Sequence, residues 1–298
     1  MALTLVILAA WMWSRYWGLK QLDTFWEWNH ALMEYSVYDA KLAWFEKVVF
    51  VIRKSFENEF KEKIWSHIEK VIPVEYAFQD MNDLPEWFSC PETREKPWGT
   101  GHAVLSARDY IDWSFAVINA DDFYWRESYQ VIADFLKNND QNCIVWYTLS
   151  EVLSDYWTVS RWICELDEQW NLKAIHETKK IFKQDWKILA ENPEDWSNYE
   201  LSPDCLASMN MMWFSKSSLD FYKSYFLEFL EKNVNDPKIE FYMPEVITRL
   251  INEEHQSVPV LPTHAQWFWV TYQEDRALTN DSINQLISEW KYPKNLWL

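Results

Sequence analysis

The chain has 298 residues, of which 49% are hydrophobic and 25% charged, so it can bury a sizeable core and is not a disordered polymer. It carries 28 Lys and Arg against 46 Asp and Glu, a formal charge of −18. This charge argues against a general nucleic-acid or anionic-membrane surface, because such a chain repels phosphate. The four cysteines form no CxxC pair and no zinc-like spacing with histidine, so we expect reduced thiols in a cytoplasmic protein.

The first half of the chain alternates apolar strands with helices. Residues 3–10 form a continuous apolar run that is too short to span a bilayer, and we predict a buried first strand there. A helix over 31–43 would place Leu32, Tyr35, Tyr38 and Leu42 on one face. The other strands predicted in this half are 47–52, 71–77, 115–120 and 143–149, and the other helices are 56–64 and 127–137.

The second half begins with a predicted hairpin. Its strands are 159–166 and 172–177, joined by the loop 167–171. The remaining predicted elements are strands at 206–214, 258–261 and 267–272 and helices at 219–233, 244–253 and 281–289, the last capped by Asp281 or Ser282. Alternating strands and helices predict an α/β fold with a doubly wound, mostly parallel sheet.

Glycine and tryptophan are present in unusual numbers. The chain has 3 Gly and 22 Trp, whereas ordinary usage predicts about 21 glycines in this length. Many of the tryptophans lie where glycine is the usual residue, and we infer replacement of glycine by tryptophan at about 18 sites. The helix-end positions are Trp44, Trp65 and Trp290; the turn-like ones are Trp87, Trp113, Trp125, Trp157, Trp170 and Trp186; those inside strands are Trp146, Trp162, Trp213 and Trp269; those in the loops that follow the first strand are Trp11, Trp13, Trp17, Trp26 and Trp28. We interpret Trp98, Trp196, Trp267 and Trp297 as ordinary tryptophans.

Three ordered segments carry residues suited to nucleotide chemistry. In the first, over 8–21, the predicted strand runs into a tight loop followed by Arg15 and Lys20, an arrangement that can cradle and neutralise phosphates. The second, over 96–103, contains Gly99-Thr100-Gly101. The third, over 118–124, places Asp121 and Asp122 at the end of a strand, where ligands bind in α/β folds.

These segments resemble the LAAGxGxR…K signature, the PxGTxHA loop and the strand-end acidic pair of the sugar-phosphate nucleotidyltransferases. The likeness covers residue 3 to about residue 287. It implies a three-layer, Rossmann-like (GT-A-like) fold with a mixed, mostly parallel sheet. It also implies one domain, 1–298, with a nucleotide-binding half, 1–150, and a sugar-phosphate-binding half, 151–298. The implied reaction converts a nucleoside triphosphate (NTP) and a sugar 1-phosphate into a nucleotide sugar and pyrophosphate, with Mg²⁺.

The resemblance assigns roles residue by residue. It implies that Arg15 and Lys20 are the catalytic cations. The implied nucleotide-binding residues are Ala9, Ala10, Trp11, Trp13, Gly99, Thr100 and Gly101. Asp121 would be the metal ligand, Asp122 a supporting or alternative ligand and Asp275 a second ligand. Weaker matches assign Glu177, Lys179 and Asn210 to the sugar phosphate, with a structural role equally compatible for each.

Tryptophan at 11 and 13 stands where the family has glycine. Because indole rings would fill the space that the triphosphate needs beside the backbone, we expect little or no activity from this sequence. Two alternatives remain open: a non-catalytic regulatory or scaffold member of the same fold, and a Trp-rich carbohydrate-binding module.

Overall fold

The structure, a computed structural model, describes residues 3–10, 24–25, 30–62, 66–154, 156–265, 267–269 and 273–297. The strands are β1 Leu3–Leu8, β2 Thr24–Phe25, β3 His30–Ala31, β4 Phe45–Ile52, β5 Val74–Phe78, β6 Phe115–Asn119, β7 Asp122–Phe123, β8 Cys143–Thr148, β9 Val159–Leu166, β10 Leu172–Gln184, β11 Lys187–Glu191, β12 Asn198–Leu201, β13 Leu206–Phe214, β14 Val260–Pro262 and β15 Phe268–Trp269. The helices are α1 Leu32–Leu42, α2 Glu57–Phe60, α3 Ser66–Ile68, α4 Thr100–Ser106, α5 Trp125–Leu136, α6 Ser218–Asn233, α7 Met243–Asn252 and α8 Gln273–Ser288.

Eleven strands form one mixed sheet. Its main path runs β12-β11-β10-β9-β13-β6-β1-β4-β5, and β8 pairs with both β13 and β14. The strands β6, β1, β4 and β5 are parallel, with Leu8 opposite Asn119 on one side and Val51 on the other. From β13 through β12 the main path is antiparallel. The parallel strands therefore end at one common edge of the sheet, where the carboxyl ends of β1 and β6 lie side by side.

Helices cover both faces of this sheet. Along β1, Leu5 and Ile7 belong to one buried cluster and Val6 and Leu8 to the other, as strand alternation requires. The first cluster includes residues of α1 and α5, and the second includes residues of α4, α6 and α7. The expected three-layer, Rossmann-like α/β architecture is therefore confirmed. Among the described residues, no helix has the length and apolar character needed to cross a membrane.

Three predictions about elements were wrong. In α1, Met33, which was not assigned to the buried face, packs with Val37 into the sheet-facing cluster, whereas Leu42 is exposed. The helix is buried on two sides, because Leu32 and Tyr35 face a third cluster that contains residues of α8.

The other two errors concern boundaries in the second half of the chain. The hairpin was expected to end at residue 177, but β10 continues to Gln184 and pairs with β11, which in turn pairs with β12. The last helix begins at Gln273 rather than at 281, so Asp281 and Ser282 lie inside it and do not cap it.

Several tryptophans occupy the left-handed backbone region. The φ angle is 68° at Trp44, 57° at Trp125, 63° at Trp170 and 61° at Trp290. Trp196, which we interpreted as an ordinary tryptophan, also has φ of 61°. Because a side chain with a Cβ is strained there by about 1–2 kcal/mol, these positions favour glycine.

Candidate active site

A cleft of about 530 Å³ opens where β6 ends. Asn119 is the last residue of β6, and the amide of Ala120 donates to the Leu8 carbonyl at 3.1 Å, so the turn that follows lies beside the end of β1. Asp121, in that turn, is half-buried and lines the cleft. The other lining residues are Asn119, Asp122, Trp157, Thr158, Val159, Ser160, Arg161, Trp162, Ser208, Met209, Asn210 and Trp267.

Asp122 is held within the protein. Its Oδ2 accepts a hydrogen bond from the Asn119 side-chain amide at 2.9 Å and lies 3.1 Å from the Tyr124 hydroxyl. Burial, and then the charge of Asp121, raise the pKa of Asp122 well above its ordinary range. Asp122 therefore braces the turn, while Asp121 faces the cleft.

Tyr124 ties this turn to the neighbouring strand β13. Its hydroxyl accepts from the Asn119 backbone amide at 3.0 Å and lies 2.8 Å from the Met209 carbonyl oxygen. The side chain is fully buried. Because one hydroxyl contacts both β6 and β13, the two strands that carry the candidate site are held at a fixed separation.

Arg161 places a cation in the wall of the cleft. Its Nε and one terminal nitrogen donate to the Val152 carbonyl at 2.8 and 2.6 Å, and its guanidinium carbon lies 5.0 Å from the centre of the Trp267 ring. Burial lowers the pKa of Arg161 to about 10, a shift opposed by the charge of Asp122. Arg161 therefore remains charged at neutral pH and offsets part of the negative charge of the acidic pair.

Asn210 brings an oxygen to the same cleft. It lies in β13 at φ of 63°, inside an irregularity in the pairing of β13 with β8. Its Oδ1 is buried, and no hydrogen-bond partner for it exists among the described residues. Because a buried polar atom without a partner is costly, this oxygen is suited to accept from a ligand or to coordinate a cation.

These donors fit the expected Mg²⁺. Mg²⁺ prefers oxygen ligands, and the cleft presents the Asp121 carboxylate and the orphaned Asn210 oxygen. Asp275, the expected second ligand, lies in the first turn of α8, and its side chain is outside what the structure describes. Asp121 and Asn210 are therefore the described residues that would hold Mg²⁺ in this cleft.

The expected phosphate loop lies largely outside the described residues. Trp11, Trp13, Arg15 and Lys20 all fall there. Ala9 and Ala10, which precede the loop, are buried at the end of β1, and the Ala9 amide donates to the Val51 carbonyl at 2.8 Å.

An arginine that the sequence analysis did not select lies beside the start of this loop. Arg53 donates from Nε to the Ala10 carbonyl at 3.1 Å. Partial burial lowers the pKa of Arg53. A guanidinium group thus lies beside Ala10, the last described residue before the expected phosphate loop.

The second segment packs tightly against residues 240–243. Gly99 has φ of 102°, and a Cβ on it would lie 2.5 Å from the Phe241 carbonyl oxygen. A Cβ on Gly101 would lie 2.5 Å from the Phe241 ring, while Thr100 Oγ1 accepts from the Met243 amide at 2.9 Å. The glycines are thus required for close packing, and a role in contacting a nucleotide stays a prediction.

The sugar-phosphate candidates separate from one another. Asn210 lines the first cleft, whereas Glu177, on β10, lines a second cleft of about 460 Å³. Lys179 is mostly exposed and forms an ion pair with Glu177 at 3.0 Å. Trp162 lines both clefts, so they adjoin along its ring. The remaining residues of the second cleft are Ile175, His176, Tyr242, Glu245, Thr248 and Arg249.

Arg161 is the main cleft residue that sequence reasoning missed. It lies in the middle of a predicted strand, where an arginine is usually exposed, and no motif marks it. Arg161 donates two hydrogen bonds to the Val152 carbonyl, which lies outside its own strand, and the alternation of residues within that strand does not predict this contact.

The fold resembles solved nucleotidyltransferase structures. A UDP-glucose pyrophosphorylase complexed with UDP-glucose matches with a TM-score of 0.63 and 16% identity, over 96% of this chain and 99% of that chain. The inositol-1-phosphate CTP transferase from T. maritima matches with a TM-score of 0.61 and 9% identity, over 95% of this chain and 96% of that one. A putative glucose-1-phosphate thymidylyltransferase from Bacillus anthracis, in complex with a sucrose, matches with a TM-score of 0.61 and 11% identity. The match covers 94% of this chain and 96% of that chain.

No protein-family profile and no curated sequence matches this chain. At these identities the structural likeness establishes the fold alone.

Proposed function

We propose that this chain is a nucleotidyltransferase by fold and site, built to transfer a nucleotidyl group from an NTP to a sugar 1-phosphate with release of pyrophosphate. The observation that carries the proposal is the cleft at the end of β6. It combines a half-buried aspartate, a partly buried arginine and an orphaned amide oxygen beside the strand that leads into the expected phosphate loop. This is the strand-end position at which open α/β sheets bind ligands.

The chemistry proposed for this cleft requires positioning and charge neutralisation rather than a general base. In-line attack of the sugar phosphate on the α-phosphate develops charge that fixed cations stabilise. Asp121 and Asn210 would hold Mg²⁺, which supplies charge neutralisation on the phosphates when bound. Arg161 contributes fixed positive charge, and Asp122 keeps the turn in place through Asn119 and Tyr124.

His102, in the second of the three sequence segments, is not needed for this reaction. His102 stacks on Phe226 with ring centroids 4.9 Å apart, and burial lowers its pKa to about 4. It is therefore neutral near pH 7 and packs within the core.

Sugar recognition is proposed for the second cleft. The partly exposed Glu177 carboxylate faces it together with the Trp162 and Tyr242 rings, whose centroids lie 5.8 Å apart. Aromatic faces beside a carboxylate suit a sugar ring with hydroxyl groups. The shared wall at Trp162 would place the sugar next to the nucleotide.

We also propose that this sequence turns over slowly or not at all. Trp11 and Trp13 occupy the positions at which the resembled family has glycine, and Trp157 lines the cleft itself. Indole rings there would occupy volume that phosphates need. All four cysteines are free thiols, which supports the cytoplasmic location that we propose.

Pyrophosphate release tests the proposal. The chain and its Trp11→Gly/Trp13→Gly variant are incubated with Mg²⁺, a panel of NTPs and a panel of sugar 1-phosphates. We expect turnover in the double variant that exceeds turnover in the parent chain, and loss of that turnover when Asp121→Asn is added.

Two results would contradict the reaction proposed for this fold. A double variant that melts cooperatively and binds NTP without turnover would favour the scaffold alternative. Sugar binding with no NTP binding would favour a carbohydrate-binding module.

A further inference from the structure

Two histidines and a glutamate converge at the N-terminal end of α1. His30 Nδ1 lies 3.2 Å from Glu34 Oε1, and His67 Nδ1 lies 3.7 Å from the same oxygen. The three ligand atoms all fall within 4.8 Å of one another. His30 belongs to β3, Glu34 to the first turn of α1 and His67 to α3, so the fold brings His67 to a pair of residues that lie much earlier in the chain.

Glu34 is a buried carboxylate without a fixed cation. Its side chain is 1% exposed. Among the described residues, the only ion-pairing side chains near it are the two histidines, and no lysine or arginine pairs with it. Because a buried negative charge needs compensation, the pocket favours a cation beside Glu34.

His67 provides the second pointer to a ligand. Its Nδ1 is buried, and no hydrogen-bond partner for it exists within the described part of the chain. The nitrogen nevertheless faces Glu34 Oε1. An imidazole nitrogen held beside a carboxylate oxygen without a hydrogen bond has the placement of a metal ligand.

We propose that His30, Glu34 and His67 bind a divalent transition-metal ion of the zinc class. With bonds of about 2.0–2.1 Å, neighbouring ligands of a tetrahedral zinc ion lie about 3.3 Å apart. The two distances to Glu34 Oε1, 3.2 and 3.7 Å, are close to this spacing. Three protein ligands leave the fourth position for water.

The surroundings hold the carboxylate in place. Trp297 donates from Nε1 to Glu34 Oε1 at 2.8 Å, and the Ala31 amide donates to Oε2 at 2.6 Å. Metal-binding carboxylates are commonly oriented by such hydrogen bonds. Access is from the side of His67, whose side chain is 44% exposed, whereas that of His30 is 3% exposed.

Binding must rearrange one hydrogen bond. The Leu296 amide donates to His30 Nε2 at 3.2 Å, so Nδ1 carries the ring proton and donates it to Glu34. Ligation through Nδ1 requires that the ring proton reside on Nε2 instead, which ends the bond from Leu296. We therefore expect metal binding to displace the Leu296 amide from His30.

This site differs chemically from the cleft. The cleft offers oxygen ligands, which suit Mg²⁺, whereas the histidine cluster offers two nitrogens and one oxygen, which suit zinc or cobalt. The two sites can therefore be distinguished by the metal that each one prefers.

Calorimetric titration of the full chain with Zn²⁺ tests the proposal. We expect one zinc per chain, with affinity reduced at least about 100-fold in His67→Gln. Co²⁺ should give the visible absorption of a tetrahedral site in the parent chain and lose it in this variant. The Leu296 amide resonance should shift on zinc addition.

Two controls separate this site from surface binding and from the proposed reaction. His176 Nε2 lies 3.8 Å from Glu165 Oε1 on an exposed surface. His176→Gln therefore removes a comparable histidine–glutamate pair and should leave the zinc affinity unchanged. Asp121→Asn should also leave it unchanged, whatever its effect on turnover. Zinc affinity that is equal in His67→Gln and the parent chain would overturn the proposal, as would the absence of binding in both.

Discussion

Two regions of this molecule hold a carboxylate in contrasting surroundings. In the cleft, Asp121 lines an open volume of about 530 Å³, and the orphaned oxygen of Asn210 lines the same space. At the C-terminal clasp, which we define as Asp39, Arg126 and Tyr292, the carboxylate is almost completely buried and saturated by partners. Arg126 Nε donates to Asp39 Oδ1 at 3.0 Å, and the Tyr292 hydroxyl donates to Oδ2.

The difference teaches where binding capacity lies. The clasp joins segments that are distant in sequence. Its polar groups hydrogen-bond to each other, so they stabilise the folded state. The cleft keeps a polar atom, Asn210 Oδ1, that has no hydrogen-bond partner in the described part of the chain, so it is arranged for a group from outside. Substitutions should therefore change binding and turnover in one region and stability in the other.

The largest expected effect is at Asp121. In the Trp11→Gly/Trp13→Gly chain, Asp121→Asn should lower the rate of pyrophosphate release by about 10³-fold, because charge stabilisation at the phosphates is lost. The free energy of unfolding should stay unchanged or rise slightly, since Asp121 repels the buried Asp122. A large loss of stability with unchanged turnover would contradict the assignment of binding to the cleft and of stability to the clasp.

The next effect is a pH dependence set by Asp39. Burial raises its pKa from 3.8 to about 6, so between these values the folded state holds a proton that the unfolded state has released. Stability therefore falls as pH rises through this window, by about 3 kcal/mol in total. Asp39→Asn should abolish this fall, as measured by chemical unfolding at pH 4.5 and pH 7.5; an identical slope in the variant would contradict the assignment.

Arg126 should give a smaller effect on stability. Arg126→Met leaves Asp39 with the Tyr292 hydroxyl alone and should cost about 2 kcal/mol at pH 8, a value discounted because the side chain of Arg126 is 39% exposed. The cost should shrink at pH 5, where Asp39 takes up a proton. NTP binding, followed by calorimetry, should not change, and a change in it would couple the clasp to the cleft.

The smallest effect concerns a tryptophan beside the clasp. Trp290 is 93% exposed at φ of 61°, so Trp290→Gly should stabilise the chain by about 1 kcal/mol through relief of backbone strain. Trp186 is 91% exposed without a positive φ, and Trp186→Gly should be neutral or destabilising. Equal effects of the two substitutions in thermal melts would remove backbone strain as the explanation.

The sequence predicted the central architecture because the buried parallel strands are continuous apolar runs. The strand over 206–214 was predicted with the bounds it has in the structure, and Asp121 was placed correctly at a strand end. Strands β11 and β12 were missed because the apolar run of β11 is only three residues long, 188–190, and β12, at the edge of the sheet, is mostly exposed. Local periodicity reports burial, and edge strands are only partly buried.

The clasp, the histidine cluster and Arg161 could not be predicted for a different reason. The bond from Tyr292 to Asp39 joins residues 253 positions apart, and that from Trp297 to Glu34 joins residues 263 apart. The partly buried Arg161 is likewise held by the Val152 carbonyl rather than by its own strand. Such contacts depend on how whole elements pack.

The most direct test of the cleft as the nucleotide site is paramagnetic broadening by Mn²⁺. The experiment uses the Trp11→Gly/Trp13→Gly/His67→Gln chain, in which the histidine cluster is disabled, with UTP, CTP or dTTP added in turn. We predict nucleotide-dependent broadening of amide resonances at 119–122 and 208–210, with those at 290–296 unaffected. Broadening centred on the C-terminal segment, or none at the cleft with any nucleotide, would contradict the account.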